Sequence, residues 1–178
     1  MQSKRVLWPV ILIAGMATSV ATTWGAAAGP TDPQIAAIVV TANQVDIDAG
    51  KLAETRSQNQ QVKDFARLMI TDHTGVNQSA TALVTRLHVA PESNPTSQSL
   101  QKGGDDNLAA LKKLQGKAFD KTYVDHEVAY HQAVLDAVDQ TLIPSAQNAD
   151  LKALLVKVRP AFAAHLEHAK HLQGSLGQ

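Results

Sequence analysis

Four long stretches of this chain place apolar residues three or four positions apart, and each interrupts its stripe with an ionisable side chain. That repeat puts the apolar groups on one face of an α-helix, so it demands helices that bury those faces against one another. The first stretch runs from Asp32 to about Arg56, with the stripe Ile35, Val39, Ala42, Asp46, Ala49 and Leu52 or Ala53. Asp32 is placed to cap it, and Pro33 suits a first turn. Ser57-Gln58-Asn59 makes a short turn, with Ser57 as N-cap of the next stretch, which runs from about Gln58 to His88. Its stripe is Val62, Phe65, Met69, His73, Val76, Ala80, Leu83 and Leu87.

A third stretch extends from about Lys117 to Leu142 and is ended by Pro144. It carries Val124, Val128, His131, Leu135, Val138 and Leu142 on one line, with Phe119, Tyr123, His126, Tyr130, Ala133 and Ala137 beside it. The fourth covers about Asn148 to Leu172, with Leu151, Leu155, Val158, Phe162, His165, Ala169 and Leu172. Pro160 lies inside it and predicts a kink one turn before His165. Between the second and third stretches, Ala90 to Gly104 reads as irregular, followed by a short crossover helix over Asp106 to Leu114. Two antiparallel hairpins joined by a longer crossover describe an all-α four-helix bundle.

Composition removes several classes of function. There is no cysteine among the 178 residues, so disulfides, thiolate metal sites and a cysteine nucleophile are excluded. Aromatic residues make up only 4%, which suits helices better than sheets. The 16 basic residues balance the 16 acidic ones, so the chain lacks the excess positive charge of a nucleic-acid binder. No GxSxG, P-loop, GxGxxG or HExxH pattern occurs.

Residues 1–28 read as a secretory signal peptide. Lys4 and Arg5 precede the apolar run Val6 to Ala21, and small residues follow, which places cleavage near Ala26 or Ala28. The run is shorter than the roughly 20 residues of a spanning helix. Residues 29–178 then form one domain, periplasmic or secreted, with no membrane span in the mature chain.

Each stripe holds an ionisable residue in its middle: Asp46, His73, His131 and His165. Asp72 precedes His73, and Glu127 lies one turn before His131 on the same face. Buried ionised groups cost several kcal/mol each unless paired, and a divalent metal is one way to pair them. Imidazole with carboxylate suits iron, zinc, manganese or copper. A single histidine on an apolar stripe is more often a hydrogen-bonded core residue, and Asp46 has Lys51 and Arg67 as alternative partners. Distance from the turns pairs Asp46 with His73. Across the Pro144 turn it pairs His165 with His126, whereas the Val/Leu stripe selects His131; both stay candidates. His88, His168 and His171 read as helix-end or surface residues.

The same positions carry a resemblance. Asn43-Gln44-Val45-Asp46-Ile47, Val62-Lys63-Asp64-Phe65-Ala66 leading to Met69-Ile70-Thr71-Asp72-His73, Phe119-Asp120-Lys121-Thr122-Tyr123 and Pro160-Ala161-Phe162-Ala163-Ala164-His165-Leu166 resemble the bacterial domain of unknown function 4142 family. That family is often labelled "predicted outer membrane protein" and is grouped with ferritin-like bundles. The resemblance spans about Pro33 to Leu172. It implies a ferritin-like bundle in the cell envelope, with recurrent polar positions at Asp46, Asp72, His73, His131 and His165, and it supports His131 over His126. It implies no activity. The chain departs from the family in carrying the shorter Asp46 where Glu is usual, and Tyr130 where an acid often precedes the histidine.

The expectation is therefore a core metal site of Asp46, His73, His131 and His165, with Asp72, Glu127 or His126 as further ligands or supports. A ferritin-like di-iron site draws on two ExxH elements. None lies on these stripes, so a mononuclear storage or sensing role is expected ahead of an oxygen-using oxidase. The alternative is a metal-free envelope protein that binds a partner protein and whose histidines only hydrogen-bond.

Overall fold

The computed structural model describes residues 29–177, so the leader assigned to 1–28 lies outside the described residues. Among those residues the regular structure is all helical: α1 (Asp32–Arg56), α2 (Gln60–Arg86), α3 (Pro95–Leu111), α4 (Gly116–Ala137), a π-helical turn (Val138–Leu142), the short α5 (Ile143–Ser145) and α6 (Ala149–Leu176). None of the described helices is long and apolar enough to cross a membrane.

Short polar caps set the helix ends. Asn59, not Ser57, caps α2 by accepting from the N–H groups of Gln61 and Val62, while the Ser57 hydroxyl accepts from Asn59 N–H within the turn. Asn148 caps α6 in the same way. At the start of α1 the N-cap is Thr31. Asp32 is freed for a longer reach, accepting the N–H groups of Gln147 and Asn148 at 2.9 Å each. That contact ties the first helix to the start of the last.

α1 and α2 form an antiparallel hairpin, and α4 with α6 forms another. The pairs Glu54–Arg67 and Asp139–Arg159 mark the two registers. The expected irregular stretch is irregular only to Asn94; from there α3, a 17-residue helix that starts at Pro95 behind an Asn94 cap, takes in most of the expected crossover helix and runs parallel to α1. Asn94 reaches Gln34 O at one end, and Arg56 reaches the carbonyls of Lys112 and Leu114 at the other. Gly103-Gly104 does not break it. A Cβ at Gly104 would lie 2.7 Å from the Val45 side chain, so glycine here permits close helix approach. Gly50 does the same between α1 and α2, where a Cβ would meet Ala66 O at 3.1 Å.

The last turns of α4 differ from expectation as well. Helical backbone passes Leu142 and continues to Ser145. The π turn rearranges the hydrogen bonds just ahead of Pro144, which lies in the short α5 that continues it. α6 stays helical through Pro160.

The core has two apolar ends. Ala53, Phe65, Met69, Leu111, Phe119 and Tyr123 fill one. Ile35, Leu83, Val138, Leu142, Leu151 and Leu155 fill the other. A polar layer lies between them.

Candidate metal centre

The middle turns of four helices supply that layer. α1 contributes Asn43 and Asp46, α2 His73, α4 Glu127 and His131, and α6 His165. Asp46 and Glu127 are 1% exposed, His131 0%, His73 and His165 3%. One face of each helix is otherwise apolar, so burying the stripes carries these groups inward together.

Hydrogen bonds outside the cluster set the tautomer of each ring. Asn43 Nδ2 donates to Val39 O at 2.8 Å, which leaves Asn43 Oδ1 as the acceptor facing His73 Nδ1 at 2.6 Å. His73 therefore carries its proton on Nδ1. His131 Nδ1 donates to the Glu127 carbonyl at 3.0 Å. His165 Nε2 donates to Asp72 Oδ2 at 2.9 Å. The three remaining ring nitrogens, His73 Nε2, His131 Nε2 and His165 Nδ1, are buried without a hydrogen-bond partner in the protein. Each imidazole offers one ligand nitrogen to a group whose members lie within 4.8 Å of one another. Phe162 stacks on His73 at 5.4 Å and holds its plane.

Asp46 faces this group. Its Oδ2 is 3.0 Å from His73 Nε2 and 3.3 Å from His131 Nε2, while both carboxylate oxygens lack a hydrogen-bond donor. In the tautomers above a lone pair faces the carboxylate in both contacts; a second ring proton, or a cation between the atoms, makes each contact attractive. Ligand bonds of about 2.0–2.1 Å in a tetrahedron separate donors by about 3.3 Å, a spacing that the two Asp46 contacts match.

Burial alone would raise the Asp46 carboxyl; the charge and hydrogen bond of a protonated His73, then the charge of His131 and a hydrogen bond from Glu127, hold the group below its ordinary value. Burial pushes His131 down to about 4, against the pull of Asp46, so the ring is neutral near pH 7. Burial likewise lowers His165. Glu127 goes the other way: burial and the neighbouring Asp46 charge raise it well above the usual glutamate range, making it a neutral acid beside an anion. With Asp46 and His131 it forms a second buried ligand group. The Tyr123 hydroxyl is fully buried near these two acids, which together with burial raise it.

The structure thus brings His73, His131 and His165 into one group and Asp46 and Glu127 into a second, the two sharing His131. Asp72 is not among them: 38% exposed, it grips His165 from outside. Nor is His126, the residue that turn spacing favoured. It stacks on Tyr130 at 5.6 Å beside α3, because five residues along a helix turn a side chain well away from the face of His131. The His131 and His165 rings nonetheless meet at 5.4 Å. The alternative partners of Asp46 are engaged elsewhere, Lys51 with Asp48 and Arg67 with Glu54 and Asp64. Sequence reasoning passed over Asn43 as a site residue, although its place one turn before Asp46 on the same face was a usable signal. Tyr123 and Phe162 read only as core aromatics.

Two comparisons with known proteins find nothing: no curated protein and no solved structure matches the chain. A third finds the family model described as Domain of unknown function (DUF4142), which matches residues 17–172.

Proposed function

The chain belongs to the DUF4142 family, and from that premise we propose that it is an exported helical-bundle protein that binds one transition-metal ion through His73, His131, His165 and Asp46. The observation that carries this reading is the set of three unpartnered ring nitrogens, each with its opposite N–H fixed by Asn43, the Glu127 carbonyl or Asp72. Metal-binding histidines are oriented in this way, their second nitrogen donating to a carboxylate or carbonyl. Three imidazoles and one carboxylate suit zinc, copper or iron better than magnesium or calcium.

In this reading the fold is a ferritin-like four-helix bundle of α1, α2, α4 and α6, with α3 as the long connection. The site stores, senses or passes on its ion. Five ligand-type side chains without an ExxH pair support one ion rather than a di-iron pair. The leader supports export: Lys4 and Arg5, the Val6 to Ala21 run and the small residues after it.

The test is titration of chelator-stripped protein with cobalt(II). The reading requires one equivalent taken up, with the visible spectrum of a nitrogen-rich low-coordinate site, and loss of that uptake in His73→Ala. Stripped protein that stays folded and takes up no stoichiometric cobalt or zinc overturns it and returns the chain to a metal-free partner-binding role.

A further inference from the structure

A cavity of about 280 Å³ lies along the seam between α1 and α4 and reaches in to the polar layer. Its walls are branched aliphatic side chains, among them Ile38, Val134, Val138, Leu142 and Leu155, drawn from α1, α4, the π turn and α6. The small side chains Ala133, Ala137 and Thr141 of its lining are exposed and mark where it opens. The π turn contributes Val138, Thr141 and Leu142 to the wall, and such turns recur at functional sites.

The walls decide what can enter. No lysine or arginine lines the cavity, so an anion finds no counter-charge along them. The polar side chains part-way in are already committed: Asn43 to Val39 and His73, and the Tyr130 hydroxyl to Ala42 O at 2.8 Å. Asp46 at the inner end has its Oδ2 within 3.0 Å and 3.3 Å of the His73 and His131 rings, and a cationic guest would have to compete with them. A charged or hydroxyl-rich molecule would therefore give up its hydration between aliphatic walls and gain no partner, which is strongly unfavourable. A hydrocarbon gives up nothing, and apolar cavities stay dry and take up such guests. Size follows from volume. A cavity of about 150 Å³ accepts benzene, so one roughly twice as large takes two fused rings.

We propose that this cavity binds one neutral apolar molecule of about ten carbon atoms, held between the aliphatic walls from the Ala133–Ala137 mouth to the edge of the polar layer. The inference rests on the walls and the volume, not on the metal reading above, and either can fail alone.

The experiment equilibrates the full chain with naphthalene and measures the free ligand in the headspace; naphthoate and naphthylmethylamine, charged compounds on the same rings, are titrated by calorimetry. The expected result is one naphthalene per chain, bound at least tenfold more tightly than either charged compound. Ala137→Phe, a change at an exposed position of the mouth, binds naphthalene at least tenfold more weakly. Ala133→Leu gives a second obstruction should the first variant fold poorly. Folded protein that takes up no stoichiometric naphthalene overturns this inference. So does a charged compound binding as tightly, or naphthalene binding unaffected by both obstructions. Cobalt uptake by the same protein judges the metal reading separately.

Discussion

The two ends of the core are built from the same kinds of residue and differ in how completely they fill their space. Phe65, Phe119, Leu111 and Tyr123 are fully buried, with Leu52, Leu68 and Leu114 half-buried against them. Around Leu142, Val138 and Leu155 the helices leave a cavity that leads to the polar layer. The filled end can hold the helices in register, and the open end can admit a guest. Packing defects are destabilising, so a cavity aimed at a cluster of unpartnered ligand atoms is better read as a working feature than as slack.

The largest expected effect probes that division directly. Phe119→Ala, at the filled end, should lower unfolding free energy by about 3–5 kcal/mol in urea denaturation, yet leave metal per folded chain unchanged. Loss of metal from chains that remain folded would show that the ends are not separable. Asp72→Ala should act the opposite way. Stripped protein should barely change in stability, because the Asp72 side chain is 38% exposed. Metal affinity should drop about 10–100-fold as His165 loses its anchor, which competition against a chelator would measure. An unchanged affinity would remove Asp72 from the account.

The smallest effect concerns pH, read on metal-stripped protein. Glu127 is raised in the fold, so its contribution is intact below the ordinary glutamate value and declines as pH rises, because the unfolded chain releases that proton first. His131 is lowered to about 4, so its contribution is intact above the ordinary histidine value of about 6.5 and is lost as pH falls toward 4. Glu127→Gln should therefore gain stability relative to the parent as pH climbs from about 4.5 toward 7, while the acid limb set by His131 stays. Urea midpoints of both proteins across that range give the comparison; parallel curves would mean that Glu127 is ionised in the fold.

Much of this was legible in the sequence, for a physical reason. Stripes at helical spacing report burial, so the long helices and the inward positions of Asp46, His73, His131 and His165 followed from periodicity. Periodicity reports a face and a level only roughly. The stripe selected His131 while turn counting favoured His126, because turn counting treats helices as parallel rods and ignores which way each side chain points. Sequence reasoning placed a crossover helix over Asp106 to Leu114 but missed the first half of α3, where Pro95 and Gly103-Gly104 read as breakers. Proline is at home in a first turn, and Gly104 answers to Val45 on another helix. Nothing local announces the π turn, whose hydrogen bonding serves Pro144 and the cavity wall. The tautomers depended on Asn43 and on a backbone carbonyl, contacts that exist only once the helices have packed.

The central claim is that these imidazoles gather around a metal ion. Elemental analysis of the untagged protein, purified from the compartment where it accumulates, tests it most directly. The account predicts close to one equivalent of zinc, copper or iron per chain, absent from His73→Ala. Folded native protein without metal, or a His73→Ala variant that keeps the full equivalent, would contradict it.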